Sequence, residues 1–297
     1  MGLLRAIVLG VVQGVTEFLP ISSTAHLRIV PALLGWPDAG AAYTAMIQLG
    51  TVAAVIVYFW ADLVRLARAW VVGLLRRAPT GTPDARLAWF VLVGTLPIGV
   101  LGLLFKHSIE TSLRSLYVIA AAMVGFALLL LLAERIAAHR RTVPEMTWRD
   151  AIIIGCCQAV ALIPGSSRSG TTLTGALGLG FRREDAARYS FLLSVPATTA
   201  AGLFEMRHLV RSGEPFTGAD VVVGTVVAFV SGILAIAWLL RYLRTRSTVV
   251  FVVYRLVLGG LVFALLLTGR LAPLAGVENV SQPSDPGRPS LNKQVSD

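Results

Sequence analysis

Gln13 to His26 reads QGVTEFLPISSTAH, and Gln158 to Thr172 reads QAVALIPGSSRSGTT. Each stretch breaks an apolar run with polar groups, and together they bring Glu, His, Arg and a set of Ser and Thr hydroxyls. The apolar flanks decide what these groups mean. The chain of 297 residues is 56% hydrophobic and 14% charged, against about 25% charged in a soluble domain, so it reads as an integral membrane protein. Charged groups in hydrocarbon cost about 2.5 to 3.5 kcal/mol each on insertion scales, so they face a polar cavity or a partner and mark function.

Working outward, six apolar stretches approach the length of about 20 residues that crosses a bilayer: Ala41 to Trp60, Leu87 to Phe105, Leu116 to Ala133, Tyr189 to Phe204, Val221 to Leu240 and Val249 to Leu267. Two further pieces, Leu3 to Phe18 and Ile152 to Ile163, end in Pro-Ile-Ser-Ser and Pro-Gly-Ser-Ser and resume as shorter pieces ending near Gly35 and Phe181. They read as re-entrant helical hairpins, because irregular backbone at membrane depth survives only where it is buried in protein or lines a polar cavity. A single kinked spanning helix at each place is the alternative.

The chain also reads as internally duplicated. Gln13, Pro20, Ser22, Ser23 and Tyr43 pair with Gln158, Pro164, Ser166, Ser167 and Tyr189. A broken hairpin and three spans per half force the two copies into opposite orientations, the inverted-repeat plan of transporters. The expected fold is therefore an all-α integral membrane protein with six transmembrane helices and two re-entrant hairpins in an inverted-topology repeat. Residues 1–142 form the first repeat with its hairpin over 3–35, residues 143–272 the second with its hairpin over 150–182, and residues 273–297 a polar disordered tail, or one partly foreign to the native chain.

Charge, cysteine usage and the N-terminus narrow the reading further. The formal net charge of +10 comes without any nucleic-acid motif, so no nucleic-acid partner is expected. Placing the Asp62 to Arg86 loop in the cytoplasm puts fifteen of the twenty-six Lys and Arg on that side, which orients the chain with both termini outside. The adjacent Cys156 and Cys157 suit neither a disulfide nor a thiolate metal site and are expected to pack. The N-terminus lacks the combined features of a cleaved signal peptide, so the first hairpin is expected to remain in the mature chain.

On a helix Gln13 and Glu17 share one face, and their oxygens suit a hard divalent cation, Mg²⁺ or Ca²⁺, which Mg²⁺ commonly binds with one or two carboxylates plus substrate phosphate and water. Glu17 paired with Arg168 as an ion pair is the competing and compatible reading. Past the break, Ser22, Ser23 and Thr24 supply hydroxyls and His26 a base, the pattern of an activated nucleophile. In the second stretch Gly165 permits a tight turn, and Ser166, Ser167, Ser169 and Thr172 add donors. Arg168 supplies a planar fork matched to phosphate oxygens, and a helix starting near Gly170 would aim its N–H groups at the same anion. The Walker spacing is absent.

At these residues the sequence resembles the undecaprenyl pyrophosphate phosphatase family linked to bacitracin resistance. QGVTE followed by His26, then MIQLGTVAAV, then PGSSRSGTT appear in the family's order, and the resemblance runs from about Leu3 to Thr268. It implies that Gln13 and Glu17 are the metal-associated or acid/base pair, Ser23 the nucleophile and His26 its proton partner. Ser167, Arg168, Ser169 and Thr172 would bind phosphate. The first acid of the pattern is here Gln13, which lowers the negative charge of the site. The implied activity is hydrolysis of a polyprenyl diphosphate lipid at the bacterial cytoplasmic membrane, on the periplasmic or exterior face, by an enzyme that forms homodimers. A carrier or flippase of lipid phosphate is the alternative that the repeats and broken helices also allow.

Overall fold

The computed structural model describes residues 2–105, 113, 115–212 and 218–274, and only the backbone of residues 41, 42 and 204–212. Eleven α-helices order the described chain. In the first half these are α1 (Leu3–Phe18), α2 (Ser23–Leu33), α3 (Gly40–Tyr58), α4 (Trp60–Leu75), α5 (Pro83–Leu104) and α6 (Leu116–Ile136). In the second they are α7 (Trp148–Val160), α8 (Arg168–Gly178), α9 (Arg183–Ser212), α10 (Gly218–Leu243) and α11 (Val249–Leu267). Both expected helix–break–helix segments are present, as α1–α2 and α7–α8.

By length and composition four helices, α5, α6, α10 and α11, are suited to cross a membrane, and α3 with α4, bent by 73° at their junction, would make a fifth. The expectation of six spans is therefore matched in part. Their outer faces carry apolar stripes at helical spacing, such as Val222, Val226, Val230 and Leu234 on α10 and Val253, Val257 and Leu261 on α11, all exposed. An apolar face turned outward fits contact with lipid rather than water. The chain is a multi-pass membrane protein. α9 buries Ser190, Ser194 and Thr198 instead, and α3 buries Thr51, so each of these two long helices turns polar residues to the interior.

Two expectations need correction. The segment from Asp62, read as a loop, continues as α4 with Trp60, Val64, Val71, Val72 and Leu75 exposed between its arginines, an amphipathic pattern that charge counting hides. Cys156 does not pack inside but is exposed, and Cys157 lies against Gly175. The polar tail beyond residue 274 and the charges at Lys106, Arg114, Arg207 and Arg211 lie outside the residues whose side chains are described.

Helix contacts repeat between the halves. α1 packs against α10 so closely that a Cβ on Gly10 would stand 2.6 Å from the Gly224 carbonyl oxygen, and α7 packs against α5 with a Cβ on Gly155 falling 2.5 Å from that of Gly94. Tyr43 and Tyr189 then seat their hydroxyls against Gly224 and Gly94 respectively. Small residues let membrane helices approach without a hydrophobic driving force between them. Gly155→Val is accordingly expected to lower the melting temperature in detergent by about 5 °C or more, since overpacking costs about 1–3 kcal/mol. Gly178→Val, which meets nothing within 4 Å, should melt as wild type; equal melting of both variants would refute the contact.

At one end of the bundle, basic residues assigned by sequence to a single side close on acids. Arg188 holds Asp62, Arg183 holds Glu134, Arg141 holds Asp150 and Arg244 holds Glu184. Three of them tie α9 to α4, α6 and the end of α10, and Arg141 ties the segment after α6 to α7.

Candidate active site

Both breaks end in the same backbone device. Leu19 is extended before Pro20 and closes α1, and Ser22 then takes φ 76° before α2 begins at Ser23. In the second copy Gly165 turns at φ +92°, and Ser167 takes φ 73° before α8 begins at Arg168. A Cβ on Gly165 would also lie 2.4 Å from the Ile119 carbonyl oxygen, so no other residue fits there. Each serine caps its helix, Ser22 Oγ accepting from the Ala25 N–H at 3.3 Å and Ser167 Oγ from the Gly170 N–H at 3.1 Å. Positive φ at a non-glycine residue costs on the order of 1–3 kcal/mol and collects at functional sites. The equivalent residues are thus Ser22 and Ser167, with Ser23 matching Arg168, one position away from the pairing read off the sequence.

The two tips interlock. The Gly165 N–H donates to Thr24 Oγ1 at 3.4 Å, and Ser169 Oγ–H donates to the Leu19 carbonyl at 2.9 Å. This brings Glu17 between the first residues of both restarting helices. Its Oε1 accepts from Arg168 Nη2 at 2.7 Å, while its Oε2 accepts from Ser23 Oγ at 2.7 Å and from Gln13 Nε2 at 3.1 Å. Gln13 Nε2 also reaches Thr51 Oγ1 at 3.5 Å. These groups line a cavity of about 160 Å³ closed by Thr44 and Gln48 of α3 and by Ala197, Thr198 and Ala201 of α9.

The cavity is built for an anion. The N-termini of α2 and α8 both face it, each adding partial positive charge and free N–H groups, where the sequence reading anticipated one. Arg168 spends one terminal nitrogen on Glu17, and its buried Nη1 has no hydrogen-bond partner among the described residues. Leaving such a donor unsatisfied costs about 1–3 kcal/mol or more, a cost that a phosphate oxygen in the cavity would remove. Gln13 Oε1 is likewise buried and unpartnered. Among the described residues no three or more His, Cys, Asp or Glu gather as a metal cluster. A divalent cation would find Gln13 Oε1 unpartnered and would share Glu17 with the donors already on it, two ligands being what a Mg²⁺ shell completed by phosphate and water needs.

The residues singled out from sequence divide sharply. Gln13, Glu17, Ser22, Ser23, Ser167 and Arg168 line the cavity. Ser166 does not: its hydroxyl donates to the Ile163 carbonyl at 2.6 Å and finishes α7. Thr172 is buried against Ser190 and the Arg168 carbonyl, and Ser169 is turned to Leu19 and Ser167. Gly165 serves the turn. These four shape the cradle without lining it.

His26 requires correction as the proton partner of Ser23. Its Nδ1 lies 2.7 Å from the Ser22 carbonyl oxygen and must donate there, leaving Nε2 to meet the Tyr254 hydroxyl at 2.6 Å, and its ring stacks on Tyr254. Glu17, not His26, receives the Ser23 hydroxyl. His26 instead braces the strained Ser22. Sequence reasoning also passed over Thr44, Gln48, Thr51 and Tyr254. Thr51 and Gln48 stand in the MIQLGTVAAV stretch that carried the family likeness, so a signal existed for them; Tyr254 sits in a plain apolar run and left none.

Comparison with known proteins places the chain in a family. The chain is 62% identical over 297 residues, all of both chains, to an undecaprenyl-diphosphatase of Myxococcus xanthus (strain DK1622). That match includes the polar tail, which counts against reading the tail as foreign. An undecaprenyl-diphosphatase of Chlorobaculum tepidum is 52% identical over 283 residues, 92% of this chain and 100% of that one. One of Chlorobium chlorochromatii is 51% identical over 283 residues with the same coverage. The family model described as bacitracin resistance protein BacA matches residues 6–261, which take in both breaks and every cavity-lining residue, and the chain belongs to that family.

Proposed function

We propose that the protein is a membrane phosphatase that hydrolyses undecaprenyl or a similar polyprenyl diphosphate to the monophosphate and inorganic phosphate. It would thereby recycle the lipid carrier of cell-wall synthesis and confer resistance to bacitracin. One observation carries the reading: Ser23 and Arg168 meet on the two oxygens of Glu17 beside the cavity, with Arg168 Nη1 buried and unpartnered among the described residues.

Ser23 gives its proton to Glu17 as its Oγ bonds to the terminal phosphorus, and the bond from that phosphorus to the bridging oxygen breaks. Glu17 passes the proton to the bridging oxygen of the departing lipid monophosphate. It then takes a proton from the water that attacks the phosphoserine and returns one to Ser23 Oγ as phosphate leaves. Arg168 and the N–H groups of α2 and α8 stabilise charge growing on the phosphoryl oxygens, the effect that usually contributes most to such a step. A divalent cation, Mg²⁺ or Ca²⁺, held at Gln13 Oε1 and Glu17 would neutralise diphosphate charge when bound.

The membrane arrangement belongs to the same reading. Six spans arise when α3 and α9 are counted with the four apolar helices, Thr44, Gln48 and Thr198 on them being explained by the cavity they line. The reciprocal packing of Gly10 on Gly224 and Gly155 on Gly94 supports an inverted repeat with the tips meeting at mid-membrane. An apolar groove of about 650 Å³ bordered by Leu63, Leu92, Leu192 and Leu203 lies on the neighbouring face of α9 and offers a path for the lipid tail. The basic end of the bundle faces the cytoplasm of the inner membrane, the site opens toward the periplasm or exterior, and the protein pairs as a homodimer, which cross-linking in membranes tests.

Purified protein in detergent should release phosphate from farnesyl diphosphate without any gradient, and EDTA should abolish most of that release, with Mg²⁺ or Ca²⁺ restoring it. A carrier would release none. Full activity in EDTA would remove the cation and leave the serine route intact.

A further inference from the structure

Arg255, in the middle of α11, is 0% exposed and heads the largest fully buried side chains of the described chain. It takes part in none of the ion pairs found among the described residues. All of its hydrogen bonds end on backbone carbonyls. Nη1 reaches the Pro20 oxygen at 3.3 Å; Nη2 reaches those of Gly165 at 3.0 Å and Ser166 at 2.9 Å, with Ala122 at 3.4 Å, and Nε that of Met123 at 3.2 Å.

These carbonyls are the point. Pro20 belongs to the break before Ser23, Gly165 and Ser166 to the break before Arg168, and Ala122 and Met123 to α6. Carbonyls at a helix break have lost their intrahelical partners and need donors. One guanidinium with five N–H groups in a fixed fork satisfies both breaks at once and anchors them to the same helix. A Cβ on Gly170 would lie 2.9 Å from Arg255 Nη1, so the group sits against the first turn of α8 without lining the cavity.

We infer that Arg255 is a positioning residue for the reaction: it pins the break before Ser23 to the break before Arg168, holding nucleophile and phosphate ligand in one register. The kinetic part rests on the phosphatase reading above; the structural part does not. Misplacement by about 1 Å can cost on the order of a hundredfold in rate, and a lysine, with the same charge but one nitrogen, cannot span both breaks.

The test is the full-length Arg255→Lys protein in detergent, assayed with farnesyl diphosphate and by hydrogen exchange read by mass spectrometry. The expected result is a kcat lower by about a hundredfold with KM within about threefold of wild type, in a protein that melts somewhat lower than wild type but still cooperatively. Peptides covering residues 18–24 and 162–168 should exchange faster, while those covering 222–234 stay as in wild type. A kcat near the wild-type value with unchanged exchange at both breaks overturns the inference. So does faster exchange throughout the bundle, or a variant that does not fold, because either makes Arg255 a general packing residue. If the wild type itself releases no phosphate, the phosphatase reading fails, and the exchange pattern alone still decides whether Arg255 pins the two breaks.

Discussion

Arg168→Lys is expected to release phosphate at least about a hundredfold more slowly than wild type, a loss of about 2.7 kcal/mol of transition-state stabilisation. Lysine keeps the charge and can still pair with Glu17. It cannot hold Glu17 through one nitrogen and present a second, coplanar one to phosphate, as the proposed role asks of Arg168, whose Nη2 is bound and whose Nη1 has no partner among the described residues. Arg168→Ala should fall at least as far. Because the Arg168–Glu17 pair is buried, with side chains 12% and 7% exposed, removing one partner also leaves a charge uncompensated, at about 3–5 kcal/mol of stability. The Lys variant is therefore the cleaner probe: phosphate release within about threefold of wild type would show that charge alone suffices and that the fork geometry is irrelevant.

Glu17→Gln carries the second large effect, again about a hundredfold or more in turnover, the scale of lost acid/base catalysis. Glutamine fills the same space and can keep contacts to Ser23 and Arg168, yet it cannot take the hydroxyl proton, so kcat should fall with the fold retained. Wild-type turnover in folded Glu17→Gln would remove Glu17 from the chemistry. The companion Gln13→Glu should keep activity and deepen the dependence on divalent cation, measured as a steeper loss in EDTA.

Much of this was legible because polar groups in an apolar chain have few explanations. Glu17, Ser23 and Arg168 stood out for that reason, and the same rule located both helix breaks. The spans α5, α6, α10 and α11 were legible from length alone. What failed depended on three-dimensional partners. His26 was assigned to Ser23 by proximity in sequence, but its ring meets Tyr254, 228 positions away. Ser166, Ser169 and Thr172 belong to a run of hydroxyls whose directions only the backbone sets, and most of that run closes on carbonyls. The offset between the copies slipped because identity matching followed the prolines. Pro164 precedes its strained serine by one residue more than Pro20 does.

That shared strained cap has a consequence for how such a site arises. Ser23 and Arg168 hold the same structural address, the first helical residue after a serine at positive φ. On the proposed duplication, an ancestral half-length chain had one residue type at that address and met a second copy of itself across a symmetric seam. Once the halves were joined, each address was free to specialise, one toward attack and the other toward anion recognition. Glu17 has Leu162 as its counterpart at the same offset, so the acid too survives in one copy alone. On that reading, asymmetric chemistry is written onto a nearly symmetric frame, and neither half separately would carry a complete reaction centre.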